Sequence, residues 1–291
     1  MLRETTLFGT TDKVQTAIDR LRAFEPSDGY LLCMSGGKDS QAVFHLAQEA
    51  GVKFDAHYHL TTVDPPEVVY FIRDHYPEVI VDRPALSMWQ LIEKKMCLPT
   101  RIMRWCCSEL KESHLTGRTL ITGVRWAESV GRRNKRAMLE LNSYTKKQIM
   151  LNSDNDEARR MFEVCSLKGK HVLNPIIDFS TEEVWEYLNS RGIRHCSLYD
   201  EGWSRLGCIA CPMSGEKGMV RDFDRWPKYS DLYFHAVERM LAARKNAGLE
   251  TCWPNAQAVM DWWIHGKGHD GPEVLGQLSL FQPDKEVIFW R

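Results

Sequence analysis

Ser35-Gly36-Gly37-Lys38-Asp39-Ser40 gathers two glycines, a lysine and two hydroxyls into one short stretch, a composition suited to holding a pyrophosphate. Glycines let the backbone come close to an anion, Lys38 adds a mobile charge, and Ser35 and Ser40 offer hydroxyls. Asp39 has two readings: it orients a metal ion on the phosphates, or it caps the start of a helix. A second constellation is built of thiols. Cys106 and Cys107 are adjacent, and Cys208-Ile209-Ala210-Cys211-Pro212 supplies a C-x-x-C. Four thiolates suit zinc or an iron–sulfur cluster. Adjacent cysteines make an awkward zinc knuckle but bond with less strain to two irons of a larger cluster, so an iron–sulfur cluster is preferred and zinc is the alternative. Burial as small hydrophobes beside Trp105 is the plain reading of Cys106 and Cys107, weakened by the ligand-loop look of Gly207 and Pro212. Cys33, Cys97, Cys165, Cys196 and Cys252 fall in no pattern and are expected to be structural.

The elements around these residues must aim them. Tyr30-Leu31-Leu32-Cys33-Met34 reads as a buried parallel strand, and residues 41–50 carry apolar positions at helical spacing with Gly51 as the stop. A strand, a glycine turn and a helix start bring backbone N–H groups and the positive helix end to one point. Helices are expected over 12–24, 67–75, 87–96 and 108–115, and strands over 53–63, 79–81 and 119–124. Ser180 or Thr181 is expected to cap a helix ending near Asn189, with Glu183 placed for a capping box with Ser180. Helices at 229–246 and 255–265 follow, then an irregular segment from His269. Residues 126–160 are polar and charge-rich and read as a mobile loop or a loosely packed helical insertion. This alternation predicts a doubly wound, mainly parallel α/β sheet, Rossmann-like, with a helical C-terminal part. The domain is expected over residues 1–215 and an extension over 216–291. Ligands of such sheets lie beyond the carboxyl ends of the strands, where the loops at 35–40, 64–67 and 123–132 are expected to converge.

Bulk properties narrow the class. A length of 291 residues, 43% hydrophobic and 26% charged, suits one globular domain with an extension. No apolar stretch approaches a membrane span and the start has no signal-peptide core, so a cytoplasmic protein without a membrane partner is expected. Nine cysteines under reducing conditions point to metal or redox chemistry rather than disulfides. A net charge of −1 excludes a general polycation, leaving any nucleic-acid contact to a local patch. Arg132-Arg133-Asn134-Lys135-Arg136, with Arg101, Arg104 and Lys111, is that patch, or a solvated loop. Trp253, Trp262, Trp263, Phe281 and Trp290 are read chiefly as core, with docking or base stacking as the other use.

The loop matches the SGGKDS signature of the PP-loop ATP pyrophosphatases. The chain resembles, more specifically, the phosphoadenosine phosphosulfate reductase family in its broad sense. The matching pieces are Ser35 to Ser40, Asp64-Pro65-Pro66-Glu67, Arg104-Trp105-Cys106-Cys107 with Leu110-Lys111, and Gly123-Val124-Arg125 with Glu128-Ser129 and Arg132. Asn174-Pro175-Ile176 before Trp185, and Gly207-Cys208 with Cys211-Pro212, complete them. The resemblance implies an adenine nucleotide α-hydrolase-like fold. It also implies ATP held by Ser35, Gly36, Gly37, Lys38, Asp39, Ser40, Asp64 and Gly123, with Lys38, Arg125, Arg132 and Mg²⁺ stabilising charge on the phosphates. The double cysteine with the C-x-x-C is the pattern by which adenylylsulfate reductases and DndC-like proteins of DNA phosphorothioation carry a [4Fe–4S] cluster. Sulfonucleotide reductases of this kind carry a Glu-Cys-Gly-Leu/Ile-His tail, whereas this sequence closes on Gln282-Pro283-Asp284 and the residues after them. The expectation is therefore an ATP pyrophosphatase adenylating a substrate for sulfur transfer, as in DndC-like and SspD-like proteins. Its expected partners are a cysteine desulfurase, other DNA-modification proteins and DNA. Sulfonucleotide reduction with an atypical nucleophile, or a nucleotide- and cluster-binding sensor subunit, are the alternatives.

Overall fold

The computed structural model describes residues 2–6, 9–112, 117–142, 148–151 and 170–266. In chain order the first elements are β1 (Arg3–Thr6), β2 (Gly9–Asp12), α1 (Lys13–Ala23), β3 (Tyr30–Cys33), α2 (Lys38–Ala50) and β4 (Phe54–His59). Next come α3 (Pro66–His75), β5 (Ile80–Asp82), α4 (Met88–Lys95), the single turn α5 (Trp105–Cys107) and β6 (Leu120–Ile121). Then follow α6 (Val130–Lys135), β7 (Leu139–Asn142), β8 (Gln148–Leu151), β9 (Lys170–Leu173) and α7 (Thr181–Ser190). The last are α8 (Gly215–Arg225), α9 (Pro227–Asn246) and α10 (Ala256–His265). The chain forms two compact units: Met1–Leu60, Asp64–Pro84 and Leu110–Gly207 in one, Thr61–Val63, Ala85–Glu109 and Cys208–Arg291 in the other. Both cysteine segments thus belong with the C-terminal helices, whereas the sequence suggests a single boundary after residue 215.

The first unit is built on a seven-stranded sheet of order β5-β4-β3-β6-β9-β7-β8. The five strands from β5 to β9 are parallel, and β7 and β8 run antiparallel at one edge. The doubly wound, mainly parallel sheet expected from the alternation is what forms. Its order reverses between β3 and β6, the crevice where such sheets take ligands. β3 lies in the middle and is apolar throughout; Tyr30 is fully buried and its hydroxyl donates to Leu21 O at 2.8 Å. α2 covers the sheet with Ala42, Val43, Phe44, Leu46 and Ala47, and ends at Gly51 in the left-handed region, φ +70°. Burying a leucine or phenylalanine of this kind contributes roughly 1.5–3 kcal/mol. Ser180 and Glu183 close the expected capping box at α7, and the Glu183 carboxylate also accepts from Lys13 Nζ at 2.8 Å.

Two expectations change here. The region from 126 is not a loop or a helical insertion throughout, because Leu139–Asn142 and Gln148–Leu151 pair as a hairpin on the sheet edge. Ala137, Met138 and Leu139 are buried at its base, an apolar anchor the surrounding charge conceals. Residues 143–147 and 152–169, with Cys165, lie outside the described residues. β6 is also shorter than the strand expected over 119–124, since the chain leaves the ladder at Thr122 to form a loop.

In the second unit, α4 opens on a Ser87–Gln90 capping box and packs against α9. Trp89 meets Tyr233 edge-on at 4.9 Å, and Tyr233 meets Trp263 at 4.9 Å. Trp263 is core, as expected, with Nε1 donating to Pro99 O at 2.7 Å. Trp253 and Trp262 pack on each other at 5.1 Å, while Phe281, Trp290 and the irregular segment lie outside the described residues. α8 has no counterpart among the expected helices: two glycines and a charged sequence hide the i, i+4 pair Met219 and Phe223 that it buries. No helix among the described residues is long and apolar enough to cross a membrane.

Candidate functional site

The phosphate-type loop joins β3 to α2 at the sheet's switch point. Gly36 takes φ +72°, and a Cβ there would meet Val68 and Ile72 of α3 at 3.0–3.2 Å. Gly37 caps α2 with extended backbone and no side-chain cap bond. Ser40 Oγ donates to Gly37 O at 2.8 Å and accepts from Ser35 N at 3.2 Å, and it lies 3.1 Å from Ser35 Oγ. These bonds set the bend from within.

Gly123, just after β6, approaches the start of α2 so closely that a Cβ would meet Asp39 C at 2.7 Å and Asp39 O at 2.8 Å. Glycine is required there by distance alone. The loops after β3 and β6 and the start of α3 therefore do come together. Asp64, just before α3, is buried.

Charge organises the same place. Asp39 does not cap the helix; its carboxylate lies between Lys38 Nζ at 3.2 Å and Arg125 Nε at 2.8 Å. Lys38 is 5% exposed, its stem packed and its ammonium held at the loop. Arg125 is 2% exposed and also donates to Phe179 O at 3.2 Å and Thr181 Oγ1 at 3.4 Å. The resemblance places Arg125 on the phosphates; in the structure its guanidinium joins Asp39, at the start of α2, to Phe179 and Thr181. Its backbone N–H donates to Glu128 Oε1 at 3.0 Å, and Glu128 pairs with Arg132. Burial lowers the Arg132 pKa, and the like charges of Arg205 and Arg136 add to this against the pull of Glu128. Within the basic run, Arg136 pairs with Glu140 at 2.7 Å, while Arg133 and Lys135 are exposed. Asn174 ties this loop down: its amide donates to Ala137 O at 2.7 Å and Glu140 Oε1 at 3.0 Å, and Thr122 Oγ1 donates to its oxygen.

One residue at the loop escapes sequence reasoning. The Lys38 N–H donates to the Tyr199 hydroxyl at 2.9 Å, across 161 positions of chain. No local pattern marks Tyr199; only the turn after α7 brings it here.

The cysteine site lies wholly in the second unit. Cys208 to Cys211 forms a tight turn, with Ala210 at φ +55° and Cys211 N–H donating to Cys208 O at 3.3 Å. Asp222 Oδ2 accepts the Ala210 N–H at 3.1 Å, and the Thr61 hydroxyl and the Cys208 thiol hydrogen-bond at 3.5 Å. Arg104 Nη2 donates to Cys107 Sγ at 3.2 Å, and that hydrogen bond, with the charges of Cys107, Cys211 and Cys106, holds the guanidinium's pKa up against burial. The hydrogen bond to Cys107 pushes the Cys106 thiol up, as do burial and the charges of Cys107, Cys208 and Cys211. Four soft donors thus share one neighbourhood with a compensating cation, and they fit a cluster or zinc in kind. Among the described residues, no three His, Cys, Asp or Glu side chains close on one point as a metal site. Of the other cysteines, Cys196 is buried and Cys252 exposed.

Comparison with known proteins covers the loop and the segment that follows it. Residues 29–214 match the phosphoadenosine phosphosulfate reductase domain. An uncharacterised protein of Methanocaldococcus jannaschii is 26% identical over 72% of this chain, which spans only 42% of that relative's length. The phosphoadenosine 5'-phosphosulfate reductase of Cronobacter sakazakii is 26% identical over 63% of this chain and 76% of its own. A crystal structure of phosphoadenylyl-sulfate reductase from Candida auris, in a phosphate complex, covers 66% of this chain and 88% of its own at 14% identity and TM-score 0.45. With a matched segment that runs from the strand before the glycine bend to beyond the C-x-x-C, this chain belongs to the phosphoadenosine phosphosulfate reductase domain family.

Proposed function

We propose that this protein is an ATP pyrophosphatase that adenylates a substrate for sulfur transfer. The observation that carries the reading is the left-handed glycine bend opening α2 at the switch point, with a buried Lys38 beside it. In the proposed reaction, the β- and γ-phosphates lie on Ser35 to Ser40 and the adenosine near Asp64. A substrate oxygen attacks the α-phosphorus, the bond to the bridging α–β oxygen breaks, and pyrophosphate leaves with that electron pair. The persulfide sulfur of a cysteine desulfurase then displaces AMP, and a thiol reductant cleaves the disulfide so formed to free the thiolated substrate. Loop amides and Lys38 stabilise the negative charge on the leaving group, the kind of fixed dipole and cation that lowers such barriers. Arg125 serves through Asp39, and Arg132, held by Glu128, lines the loop after β6. Asp39, already between two cations, is a poor Mg²⁺ ligand; the metal is assigned to the nucleotide's phosphates as part of the substrate.

The four thiols of Cys106, Cys107, Cys208 and Cys211 are proposed to hold a [4Fe–4S] cluster, with zinc as the competing occupant. With every iron ligand supplied by protein, a bound cluster would contribute structure and charge. We assign the substrate, by the DndC-like and SspD-like resemblance, to DNA awaiting phosphorothioate modification in the cytoplasm. Exposed Arg133 and Lys135 of α6 offer a local basic contact for DNA. Pyrophosphate release from ATP, measured with DNA, desulfurase and cysteine present, tests the reading: the wild type releases it and Lys38→Ala does not. Equal release by both proteins overturns it. The relatives named as reductases favour one other reading, sulfonucleotide reduction. Sulfite formed from adenylylsulfate and a thiol would select that reading instead.

A further inference from the structure

We propose that Tyr199 is a phosphate-binding residue of the glycine loop, relaying the positive end of α2 to the nucleotide through its hydroxyl. The inference rests on the triphosphate reading above and adds a contact point remote in sequence. The Tyr199 oxygen accepts the N–H of Lys38, the first residue of α2, at 2.9 Å. A Cβ built on Gly37 would stand 3.4 Å from the same oxygen, so the hydroxyl sits directly over the bend. Lys38 Nζ lies 6.0 Å from the centre of the Tyr199 ring.

An amide that donates to a hydroxyl is withdrawn from direct contact with an anion. The hydroxyl keeps its own proton, however, and can pass the donation onward. A chain of N–H to O–H to phosphate oxygen is polarised along its length, each bond strengthening the next. Burial raises the phenol's pKa, so it remains a donor at neutral pH.

Packing also places the ring for this duty. Trp185 meets it edge-on at 5.0 Å and His195 at 6.0 Å, and His195 is itself held by Asp200 at 2.9 Å. The role of the oxygen is thus separable from that of the ring. Tyr199→Phe keeps the packing and removes only the hydroxyl.

Binding of inorganic pyrophosphate and of ATP, measured by calorimetry on the full chain, tests the relay. Tyr199→Phe is expected to bind pyrophosphate about tenfold more weakly, the scale of one hydrogen bond to a charged group. It should raise KM for ATP more than it lowers kcat, with the melting temperature little changed. Site-specific 3-fluorotyrosine at position 199, a stronger donor on an unchanged ring, should shift affinity the other way. Affinity unchanged or improved in Tyr199→Phe, with Lys38→Ala still weakening it, overturns the relay and leaves the triphosphate reading in place. If the wild type binds neither pyrophosphate nor ATP, both fall together.

Discussion

The glycine bend and the cysteine site reach their chemistry by opposite routes. At the bend, most of the necessary groups come from one contiguous segment, and the rest of the unit holds it still. At the cysteine site the donors come from segments far apart in sequence, and they share a neighbourhood without closing on a point among the described residues. A site made of backbone can be finished by folding alone, because its donors are amides fixed by a helix and a turn. A site made of thiolates gathers like charges, so each donor raises the cost of the next until a cation arrives.

That contrast can be broken most sharply at Lys38. Lys38→Ala should lower pyrophosphate release by ~10²-fold or more, as loss of a fixed charge at a transferring phosphate does. Cluster content, read by the visible spectrum after anaerobic purification, should stay unchanged. Cys208→Ser should do the reverse, losing that spectrum while leaving ATP affinity within about twofold of wild type, well under the tenfold that 1.4 kcal/mol represents. Loss of ATP binding in the serine variant would show that the two sites are not independent.

Gly123→Ala should act next. A methyl group 2.7 Å from the Asp39 carbonyl carbon forces the loop after β6 away from α2, at a cost of about 1–3 kcal/mol of stability. ATP affinity should fall together with the denaturation midpoint. A variant with wild-type stability and affinity would mean that the two loops are not pressed together.

The smallest effect concerns the frame. Burial would raise the Glu183 pKa, but the Lys13 and Ser180 hydrogen bonds outweigh it and leave it lowered. A depressed folded-state pKa means stabilisation fully present above the ordinary carboxyl value of 4.5 and lost as pH falls through the folded value. Glu183→Gln should therefore lose about 1 kcal/mol at neutral pH. Its melting temperature should fall less steeply than wild type below pH 4.5. Parallel acid limbs in the two proteins would remove Glu183 from the account.

What could be read in the sequence was whatever lay close together along it. The bend at Ser35 to Ser40, the capping box at Ser180 and the left-handed stop at Gly51 each depend on neighbours within a turn, and each forms as expected. The clamp of Arg125 on Asp39 spans 86 positions and the Tyr199 contact 161, distances over which no periodicity signals a meeting. Arg125 is expected at the phosphates by resemblance, and its burial and its pairing with Asp39 have no signal among neighbouring residues. The β7–β8 hairpin was hidden for another reason. Its strands are short and lie among charged residues, so the apolar base at Ala137 to Leu139 is too brief to stand out.

Gly36 carries a consequence for motion. Its bend rests on Val68 and Ile72, which are themselves buried, so the turn cannot relax without lifting α3 from the sheet. The entropy of ordering that turn is settled when the protein folds, and an arriving anion meets a cradle already set.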